Sequence, residues 1–429
     1  MAGIMPLRGL RYDETKAGGI KELVTPPYDV ISREAQENYY AQNPYNIIRL
    51  EYGKKLPEDD DGDNRYTRAA DFFRRWQEEG VLRQEDEPAI YLYRQRYTVN
   101  GAELERTGII CGVKLEPYEK GVVLPHEETM PGHKADRLAL MRACRANFSP
   151  IFSLYSDPER KIDLLLEQAV GGLPPEIDFA DQWGQRHRLW AISDPALLSE
   201  VRGLMEPLRI FIADGHHRYE TALNYALENP AAGFIMMTLV NLYDPGLVVL
   251  PTHRLIMSAK KDWRQLTDAL GEDFWVETVS ETDVAAVSAL MAERAGPGAE
   301  KNWVYGLYTG NGRFHILKLR DEKIIEDKMP ADRSPAWRRL DVSVLQKLIL
   351  ENVLGIDRAA LARGEAVGYT RDAGEAVREV DRGGCRFSFL LNPTGVSEVT
   401  TVAELGEKMP QKSTFFYPKL ITGLVINKF

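Results

Sequence analysis

The sequence predicts an α/β protein with an α+β layout, and two observations support this fold class. Short apolar runs, typical of buried strands, alternate with segments in which apolar residues recur every three or four positions, as on one face of a helix. The sharpest change between the two patterns lies in Leu208–Pro230, where the apolar run Leu208–Ala213 stops at Asp214-Gly215 and helical spacing begins. We therefore expect the chain to be organised around this strand, turn and helix.

Several elements are predicted before this unit, from an N-capping serine, amphipathic spacing and an Asn-Gly turn between two strand-like runs. In chain order they are a helix Arg33–Gln42 capped by Ser32, a strand Asn46–Glu51, a helix Tyr66–Gly80, and a hairpin of Ala89–Val99 and Arg106–Leu115 around Asn100-Gly101.

More elements are predicted after the unit by the same criteria. They are a strand Gly233–Asn241, a strand Leu247–Pro251 that leads into Thr252-His253-Arg254, a strand Phe274–Thr278 between two helices, a hairpin of Trp303–Tyr308 and Arg313–Leu319, helices Asp341–Val353 and Asp372–Val380, and a strand Arg386–Leu391.

The turn at residues 214–218 has the composition of an anion-binding site. The first N–H groups of a helix and its dipole favour an anion, Arg218 can grip a phosphate with two hydrogen bonds, and Gly215 lets a ligand approach the backbone. Such joints also occur without a ligand, and His216 could then complete the apolar face that begins with Tyr219. Crowding of polar groups beside a buried strand favours the phosphate site, because an unpaired buried charge is costly. The groups are Asp214, His216, His217 and Arg218.

A second polar block lies in Gly121–Phe152, where only the part from Leu138 onward is predicted to be helical. Its polar residues are His126, Glu127, Glu128, Thr129, His133, Lys134, Asp136 and Arg137. The zinc motif His-Glu-x-x-His is excluded because position 130 is Met. Five of the seven histidines lie in three polar segments, this block, the turn at 214–218 and residues 252–254; they are His126, His133, His216, His217 and His253. Their clustering indicates a functional site, although a solvated loop would also account for the charges of this block.

Composition limits the classes of function. A net charge of −10 over 429 residues disfavours nonspecific binding to nucleic acid or anionic membranes. The three cysteines form no CxxC pair and predict reduced thiols rather than a disulfide or zinc cluster. The first residues contain no apolar signal-peptide core and no apolar run reaches membrane-spanning length, so we expect a cytoplasmic protein.

The C-terminal segment Gly406–Leu420 resembles a phosphate-binding loop at Lys412-Ser413-Thr414. Gln411 replaces the expected glycine, and no apolar strand precedes the segment, so a P-loop is excluded. Lys412 and Lys419, with the two hydroxyls, could still reach a phosphate. The alternative is that the segment only packs its aromatic residues on the core.

Several sequence blocks resemble one bacterial and archaeal family, the domain-of-unknown-function family ten-fifteen. The blocks are PPYDVIS, HEETMPGHKADRLALM, ANFSPIF, IADGHHRYETAL, LPTHRLI, VGYTRD and MPQKSTFFYPKLITGLV. The resemblance covers most of the chain from Pro26 onward.

The Gly215–Arg218 turn is also similar to the Gly-x-x-Arg turn that holds nucleotide phosphates in the ParB/sulfiredoxin fold. Archaeal free serine kinases share this fold. This resemblance implies a ParB/sulfiredoxin-like phosphate-binding domain over residues 1–257, with the hairpin and the His126–Asn147 block as insertions. A C-terminal α/β domain would cover 258–429, and its segment 406–420 could return to the site. Free serine kinases transfer a phosphoryl group from a nucleotide to the hydroxyl of free L-serine, so the resemblance of the turn implies this reaction.

From these motifs we predict a role for each candidate residue. The carboxylate base is Glu51 or Glu127, and Asp214 or Glu127 would hold Mg²⁺ through water. The phosphoryl donor would be ATP, ADP or pyrophosphate. Phosphate-binding candidates are Gly215, His216, His217, Arg218, Lys134, Arg137, Lys412, Ser413 and Thr414. Substrate-binding candidates are His126, Thr129, Asn147, His253 and Arg254.

Three functions share this anion site. The first is a small-molecule kinase, most simply of L-serine. The second is a ParB-like nucleotide-dependent regulator, which the acidic charge and the lack of a basic recognition helix disfavour. The third is a phosphoesterase that uses His217 and Asp214. We expect a small-molecule substrate, no membrane or nucleic-acid partner, and a homodimer as one possible assembly.

Overall fold

The computed structural model describes residues 1–129, 131–296, 301–357, 360–361 and 364–429. These residues form two compact units. Unit 1 consists of Met1–Val248 together with Pro418–Phe429, and unit 2 consists of Val249–Tyr417. Unit 1 is therefore built from two stretches that are far apart in sequence. The boundary predicted after residue 257 falls within unit 2.

The described ranges contain the following strands, in chain order. They are β1 (Ile4–Met5), β2 (Leu10–Tyr12), β3 (Leu82–Gln84), β4 (Ile90–Val99), β5 (Ala102–Lys114), β6 (Val123–Leu124), β7 (Ala146–Asn147), β8 (Ile151–Tyr155), β9 (Ile177–Ala180), β10 (Arg186–Ile192), β11 (Ile210–Asp214), β12 (Phe234–Asn241), β13 (Val248–Leu250), β14 (His253–Ile256), β15 (Phe274–Thr278), β16 (Val304–Tyr308), β17 (Phe314–Leu319), β18 (Val367–Thr370), β19 (Phe387–Leu390), β20 (Phe415–Tyr417) and β21 (Asn427–Lys428).

The helices of the same ranges also follow chain order. They are α1 (Glu14–Ala17), α2 (Arg33–Gln42), α3 (Ile48–Glu51), α4 (Arg65–Glu78), α5 (Pro131–Cys144), α6 (Lys161–Ala169), α7 (Pro195–Met205), α8 (His216–Glu228), α9 (Trp263–Leu270), α10 (Val284–Ala295), α11 (Lys323–Lys328), α12 (Pro335–Arg338), α13 (Asp341–Val344), continued by a π-helical segment (Leu345–Val353), α14 (Ala373–Asp381) and α15 (Val396–Glu404). Among the described residues, no helix is both long enough and apolar enough to cross a membrane.

A mixed sheet forms the centre of unit 1. Its described strands follow the order β6-β11-β8-β12-β5-β4-β10-β9, with β1 beside β5. Strand β11 runs parallel to β6 and antiparallel to β8, whereas β8 and β12 are parallel. The predicted hairpin is confirmed as β4 and β5, which lie inside the sheet. The α/β prediction is confirmed, because helices pack their apolar residues on this sheet.

Helix α8 contributes Tyr219, Ala222 and Tyr225 to the core of unit 1. The helix and the strand before it are confirmed within one or two residues at their ends. The apolar spacing in the sequence predicts a buried face of Tyr219, Ala222, Leu223, Ala226 and Leu227, but Leu227 is 85% exposed, so the buried stripe ends at Tyr225. Each fully buried side chain of this kind contributes about 1.5–3 kcal/mol by leaving water.

Unit 2 has its own antiparallel sheet and core. Its described strands follow the order β15-β17-β16-β19-β14-β18. The predicted strand Phe274–Thr278 is confirmed as β15. The hairpin predicted from Trp303–Tyr308 and Arg313–Leu319 is confirmed as β16 and β17. The predicted helix at 341–353 is α13 followed by the π-helical segment, and both pack into the apolar core.

Two local predictions are wrong. Asn46–Glu51 was expected to be a strand, but Ile48–Glu51 forms α3, and the Asn46 side chain accepts a hydrogen bond from the N–H of Ile48 at 2.9 Å. A short apolar run fits a buried strand and a buried helical turn equally well, and the side-chain cap decides for the helix. Only residues from Leu138 onward are predicted to be helical, but α5 begins at Pro131, and proline is favoured at the first position of a helix.

The last segment of the chain, residues 418–429, is anchored in unit 1 by backbone pairing. Thr422 pairs with Thr25, Ile426 pairs with Leu10, and β21 pairs with β7. The buried guanidinium of Arg106 donates to the carbonyl oxygen of Pro418 at 2.6 Å and lies 4.5 Å from the centre of the Phe152 ring. Burial lowers the pKa of Arg106 to about 10.

Replacing Arg106 with Met should loosen the C-terminal segment, because the Pro418 carbonyl and the Gln95 side chain would lose their buried donor. Hydrogen bonds from charged groups contribute about 1.5–3 kcal/mol, so we expect the free energy of unfolding in urea to fall by about that amount. Hydrogen exchange at residues 418–429 should become faster.

The matched control is Arg96→Met on the neighbouring stretch of β4, where the side chain is 39% exposed. This change should alter stability by less than about 0.5 kcal/mol. Unchanged exchange at 418–429 in Arg106→Met would show that Arg106 does not anchor the segment.

Candidate functional site

The site begins where β11 ends and α8 starts. Asp214 is the last residue of β11, Gly215 follows with φ +101°, and His216 opens the helix. This left-handed conformation favours glycine. A Cβ atom on Gly215 would lie 2.8 Å from Nη2 of Arg218, so the glycine also makes room for the guanidinium to fold back over the turn.

Asp214 is held between two cations. Its Oδ2 accepts from Nη2 of Arg218 at 3.0 Å, and its Oδ1 pairs with Nζ of Lys419. The three side chains are only 17%, 10% and 14% exposed. Burial by itself raises the pKa of Asp214, but Lys419 and Arg218 outweigh it and hold the pKa well below its usual range. The carboxylate is therefore ionised at neutral pH.

Arg218 also joins the turn to a second carboxylate through Ser149. Its Nη1 donates to the carbonyl oxygen of Pro150 at 2.7 Å and to the Ser149 hydroxyl at 3.2 Å. Ser149 donates in turn to Oε1 of Glu51 at 2.8 Å. Glu51 and the predicted phosphate-binding Arg218 are thus linked by one bridging hydroxyl.

Glu51 is almost completely buried at the C-terminal end of α3. Burial raises its pKa, and the nearby cations Arg137 and Arg218 oppose the rise only in part. Nη1 of Arg137 lies 3.3 Å from Oε1 of Glu51 and donates to its backbone carbonyl at 2.9 Å. A carboxylate with a raised pKa beside a hydroxyl has the chemistry of a general base.

A small cavity of about 30 Å³ is lined by these groups. Its polar lining is Glu51, Arg137, Asn147, Ser149 and Arg218, and its apolar lining includes Leu140, Met141 and Phe148. One water molecule needs roughly 10–15 Å³ of such a cavity volume, so this cavity has room for about two water-sized groups.

Arg137 is fixed by a further set of buried contacts. It pairs with Asp136 at 2.5 Å, and its guanidinium carbon lies 4.0 Å from the centre of the Tyr28 ring. Asp136 also accepts from the Tyr66 hydroxyl at 2.7 Å and pairs with Arg65. Burial raises the pKa of Tyr28 to about 12. The charge of Arg137 is matched by Glu51 and Asp136, and phosphate binding by Arg137 stays a prediction.

His126 and His216 form a buried pair with defined tautomers. Nδ1 of His126 lies 2.8 Å from the carbonyl oxygen of Ile212 and therefore carries the proton. The backbone N–H of His126 donates to Nε2 of His216 at 3.1 Å, so the neutral ring of His216 is protonated at Nδ1, which lies 4.0 Å from Glu127. Burial lowers the pKa of His126 to about 4.

His217 and Glu220, near the start of α8, are both half-buried. The His217 ring lies 4.9 Å from the ring of His133, and burial with His133 lowers the pKa of His217 to about 4. Glu220 accepts from Thr129 at 2.5 Å and pairs with Lys134 at 2.9 Å. The predicted candidates Thr129 and Lys134 therefore lie beside the turn, bound to a glutamate that the sequence analysis did not select.

The other predicted residues lie in contacts with the backbone or in unit 2. In unit 1, Asn147 accepts from the N–H of Met236 at 3.2 Å. In unit 2, Nδ1 of His253 accepts from the N–H of Leu391 at 3.2 Å, and Arg254 donates to the carbonyl oxygens of Thr252 and Lys412. Ser413 donates to the Pro410 carbonyl, and Thr414 is half-buried. Substrate or phosphate binding by these residues stays a prediction.

The carboxylates of the turn leave little room for a directly bound magnesium ion. Both oxygens of Asp214 are bound by cations, so a metal ion would have to replace one of them. The side chain of Glu127 is about one-third exposed and lies beside His216. In the described parts of the chain, no group of three or more His, Cys, Asp or Glu residues is arranged to hold a metal ion.

The sequence analysis missed Ser149 and Tyr28 as members of the site. Each lies in a block on which the family resemblance rests, ANFSPIF and PPYDVIS. Neither residue type is unusual, and only their positions against Glu51 and Arg137 reveal their roles.

Gly215→Ala should lower the free energy of unfolding for two reasons, the positive φ angle and the close approach to Arg218. Left-handed backbone alone costs a non-glycine residue about 1–2 kcal/mol. Gly121→Ala is the matched control, because Gly121 has φ +65° and open space around its Cβ position. Urea unfolding should show a larger loss for Gly215→Ala, and equal losses would show that Arg218 does not need the space.

The pH dependence of stability should carry a contribution from His126. Between pH about 6.5 and about 4 the unfolded His126 binds a proton but the folded one does not, so the free energy of unfolding falls as the pH falls through this window. One such group contributes up to about 1.4 kcal/mol per pH unit. His126→Asn keeps a donor for the Ile212 carbonyl and should flatten the curve. Identical curves for the two proteins would contradict the assignment.

Comparison with known proteins gives a family match. The family model described as "Protein of unknown function (DUF1015)" matches residues 4–343, well over half of the chain. No curated protein matches the chain.

Solved structures give weak likenesses. A conserved hypothetical protein from Pyrococcus furiosus is 14% identical with a TM-score of 0.35, covering 75% of this chain and 95% of that one. A free serine kinase in complex with AMP is 13% identical with a TM-score of 0.35, covering 74% and 92%. SbnI with a C-terminal truncation from Staphylococcus aureus is 12% identical with a TM-score of 0.36, covering 74% and 87%. At such values these likenesses carry no argument about the reaction of this protein.

The match over residues 4–343 confirms the family resemblance of the sequence blocks. The chain belongs to the DUF1015 family of proteins of unknown function.

Proposed function

We propose that the protein is a small-molecule phosphotransferase that transfers a phosphoryl group to a substrate hydroxyl, with free L-serine as the acceptor. The donor would be ATP, ADP or pyrophosphate. The observation that carries the proposal is the short path from an anion-binding turn to a buried base. Arg218 at the start of α8 and Glu51 share the hydroxyl of Ser149 and line the same small cavity.

Phosphoryl transfer needs positioned cations and a base, and little covalent chemistry from the protein. In the proposed reaction the N–H groups of residues 216–218 and the side chain of Arg218 hold the donor phosphate. Glu51 accepts the hydroxyl proton as the substrate oxygen forms its bond to phosphorus, the bond from that phosphorus to the bridging oxygen of the donor breaks, and ADP, AMP or phosphate leaves. Burial supports this role, because it raises the pKa of Glu51.

The size of the cavity supports a small acceptor. A space for about two water-sized groups suits the hydroxymethyl group of a small alcohol. The donor would then lie outside the cavity, at the N-terminus of α8. The choice of L-serine among small alcohols rests on the resemblance of the Gly215–Arg218 turn to that of free serine kinases.

The first test is phosphorus NMR of the purified protein with Mg²⁺ and L-serine, in separate tubes with ATP, ADP or pyrophosphate, and with phosphoserine alone. A phosphoserine signal from one donor would support the kinase and identify its donor. Release of phosphate from phosphoserine without a donor would favour the phosphoesterase instead. Unchanged spectra in all tubes would contradict the proposal.

Glu51→Gln should lower kcat at least about a hundredfold, because the amide cannot accept the hydroxyl proton. The amide oxygen can still accept the Ser149 hydrogen bond, so donor binding should be retained. The matched control is Glu116→Gln, a carboxylate of unit 1 that pairs with Lys114 and Lys120 instead. Steady-state kinetics with the donor found by NMR gives kcat, and a loss of less than tenfold would exclude Glu51 as the base.

A further inference from the structure

The carboxylate at the start of the turn faces an excess of cationic charge. Asp214 contacts both Arg218 and Lys419, one on each oxygen. The neighbouring carboxylates Glu51 and Asp136 are matched by Arg137 and Arg65. The cluster of Asp214, Arg218 and Lys419 therefore carries a net positive charge in a largely buried position.

Lys419 reaches Asp214 from the far end of the chain. The backbone around it is fixed independently of its side chain, because the Lys419 carbonyl accepts from Gln95 at 3.1 Å and the Pro418 carbonyl accepts from Arg106. The strand pairing of residues 422–428 adds further anchorage. The side chain of Lys419 is thus not needed to hold the segment, which lets its charge serve another role.

We propose that Asp214 is an internal counter-anion that holds Lys419 and Arg218 in the absence of ligand, and that Lys419 is a diphosphate-binding residue that exchanges Asp214 for the ligand. This inference rests on the proposed function and names the chemical group of the donor that the site recognises.

The physical reason is charge balance. Two cations side by side in a largely buried site repel each other and need a partner anion. The single negative charge of Asp214 balances only one of the two positive charges. A diphosphate carries more negative charge and has more acceptor oxygens than Asp214. A ligand diphosphate would therefore compete with Asp214 for the same two side chains. Because a flexible lysine can turn between neighbouring oxygens, Lys419 is better suited to the exchange than Arg218, which is also fixed by Ser149 and Pro150.

The test is isothermal titration of the full-length protein with inorganic pyrophosphate, and separately with ADP, which contains the same diphosphate, in buffer without divalent cations. Lys419→Gln should weaken binding about tenfold or more, and Lys419→Arg should restore most of it. Asp214→Asn should tighten binding about threefold or more, because the competing charge is removed. The matched control is Lys428→Gln, which removes a lysine of the same segment that contacts Gln77 and should leave binding unchanged.

Hydrogen exchange at residues 420–429 separates a charge effect from an undocked segment. The exchange rates should be equal in Lys419→Gln and in the unchanged protein. Weaker binding in Asp214→Asn, equal effects of the Lys419 and Lys428 changes, or no diphosphate binding by the unchanged protein would each overturn the inference. A purely structural ion pair would not give tighter binding on loss of Asp214.

The two proposals fail in different ways. If phosphoserine forms but diphosphate binding does not depend on Lys419, only the counter-anion inference is overturned. If diphosphate binds through Lys419 but no phosphoryl group reaches serine, only the proposed serine kinase is overturned.

Discussion

The candidate site depends on keeping the carboxylate of Asp214 charged in a largely buried position. This requires two cations, Arg218 only four residues later and Lys419 from the distant last segment. Gly215 lets Arg218 fold back, and Arg106 holds the backbone that carries Lys419. The pairing of one buried charge thus brings side chains of β11, α8 and the separately anchored C-terminal segment together at one point.

The same rule organises the neighbouring carboxylate. Glu51 is buried beside Arg137, whose charge is shared with Asp136 and whose face packs on Tyr28. The two neighbouring carboxylic acids, Asp214 and Glu51, therefore differ in pKa. Cations lower the pKa of Asp214, whereas burial prevails at Glu51 and raises its pKa. A permanently ionised group and a potential proton acceptor are the two acids that phosphoryl transfer would use in different ways.

Much of this arrangement follows from local patterns. The change from a strand-like run to helical spacing at Asp214-Gly215 predicts β11, the turn and α8 almost to the residue. The prediction works because burial of apolar residues gives a strand and a helix different spacings of apolar positions along the sequence. Local patterns fail at Ile48–Glu51, where a side-chain cap decides for the helix, and at the start of α5, where proline occupies the first helical position. Leu227 shows the opposite error, an apolar residue with helical spacing that nothing covers.

By itself the sequence determined the α/β class, the family, the strand, turn and helix around Asp214-Gly215, and the residue types available for their chemistry, since each of these is encoded in contiguous segments. Only the tertiary structure decided which of those residues meet. In the folded chain Ser149 lies between Arg218 and Glu51, and Lys419 pairs with Asp214. The side chains of Asn147 and His253 accept hydrogen bonds from backbone N–H groups. The reason is that a partner for a buried polar group is chosen by proximity in space, which sequence separation does not reveal.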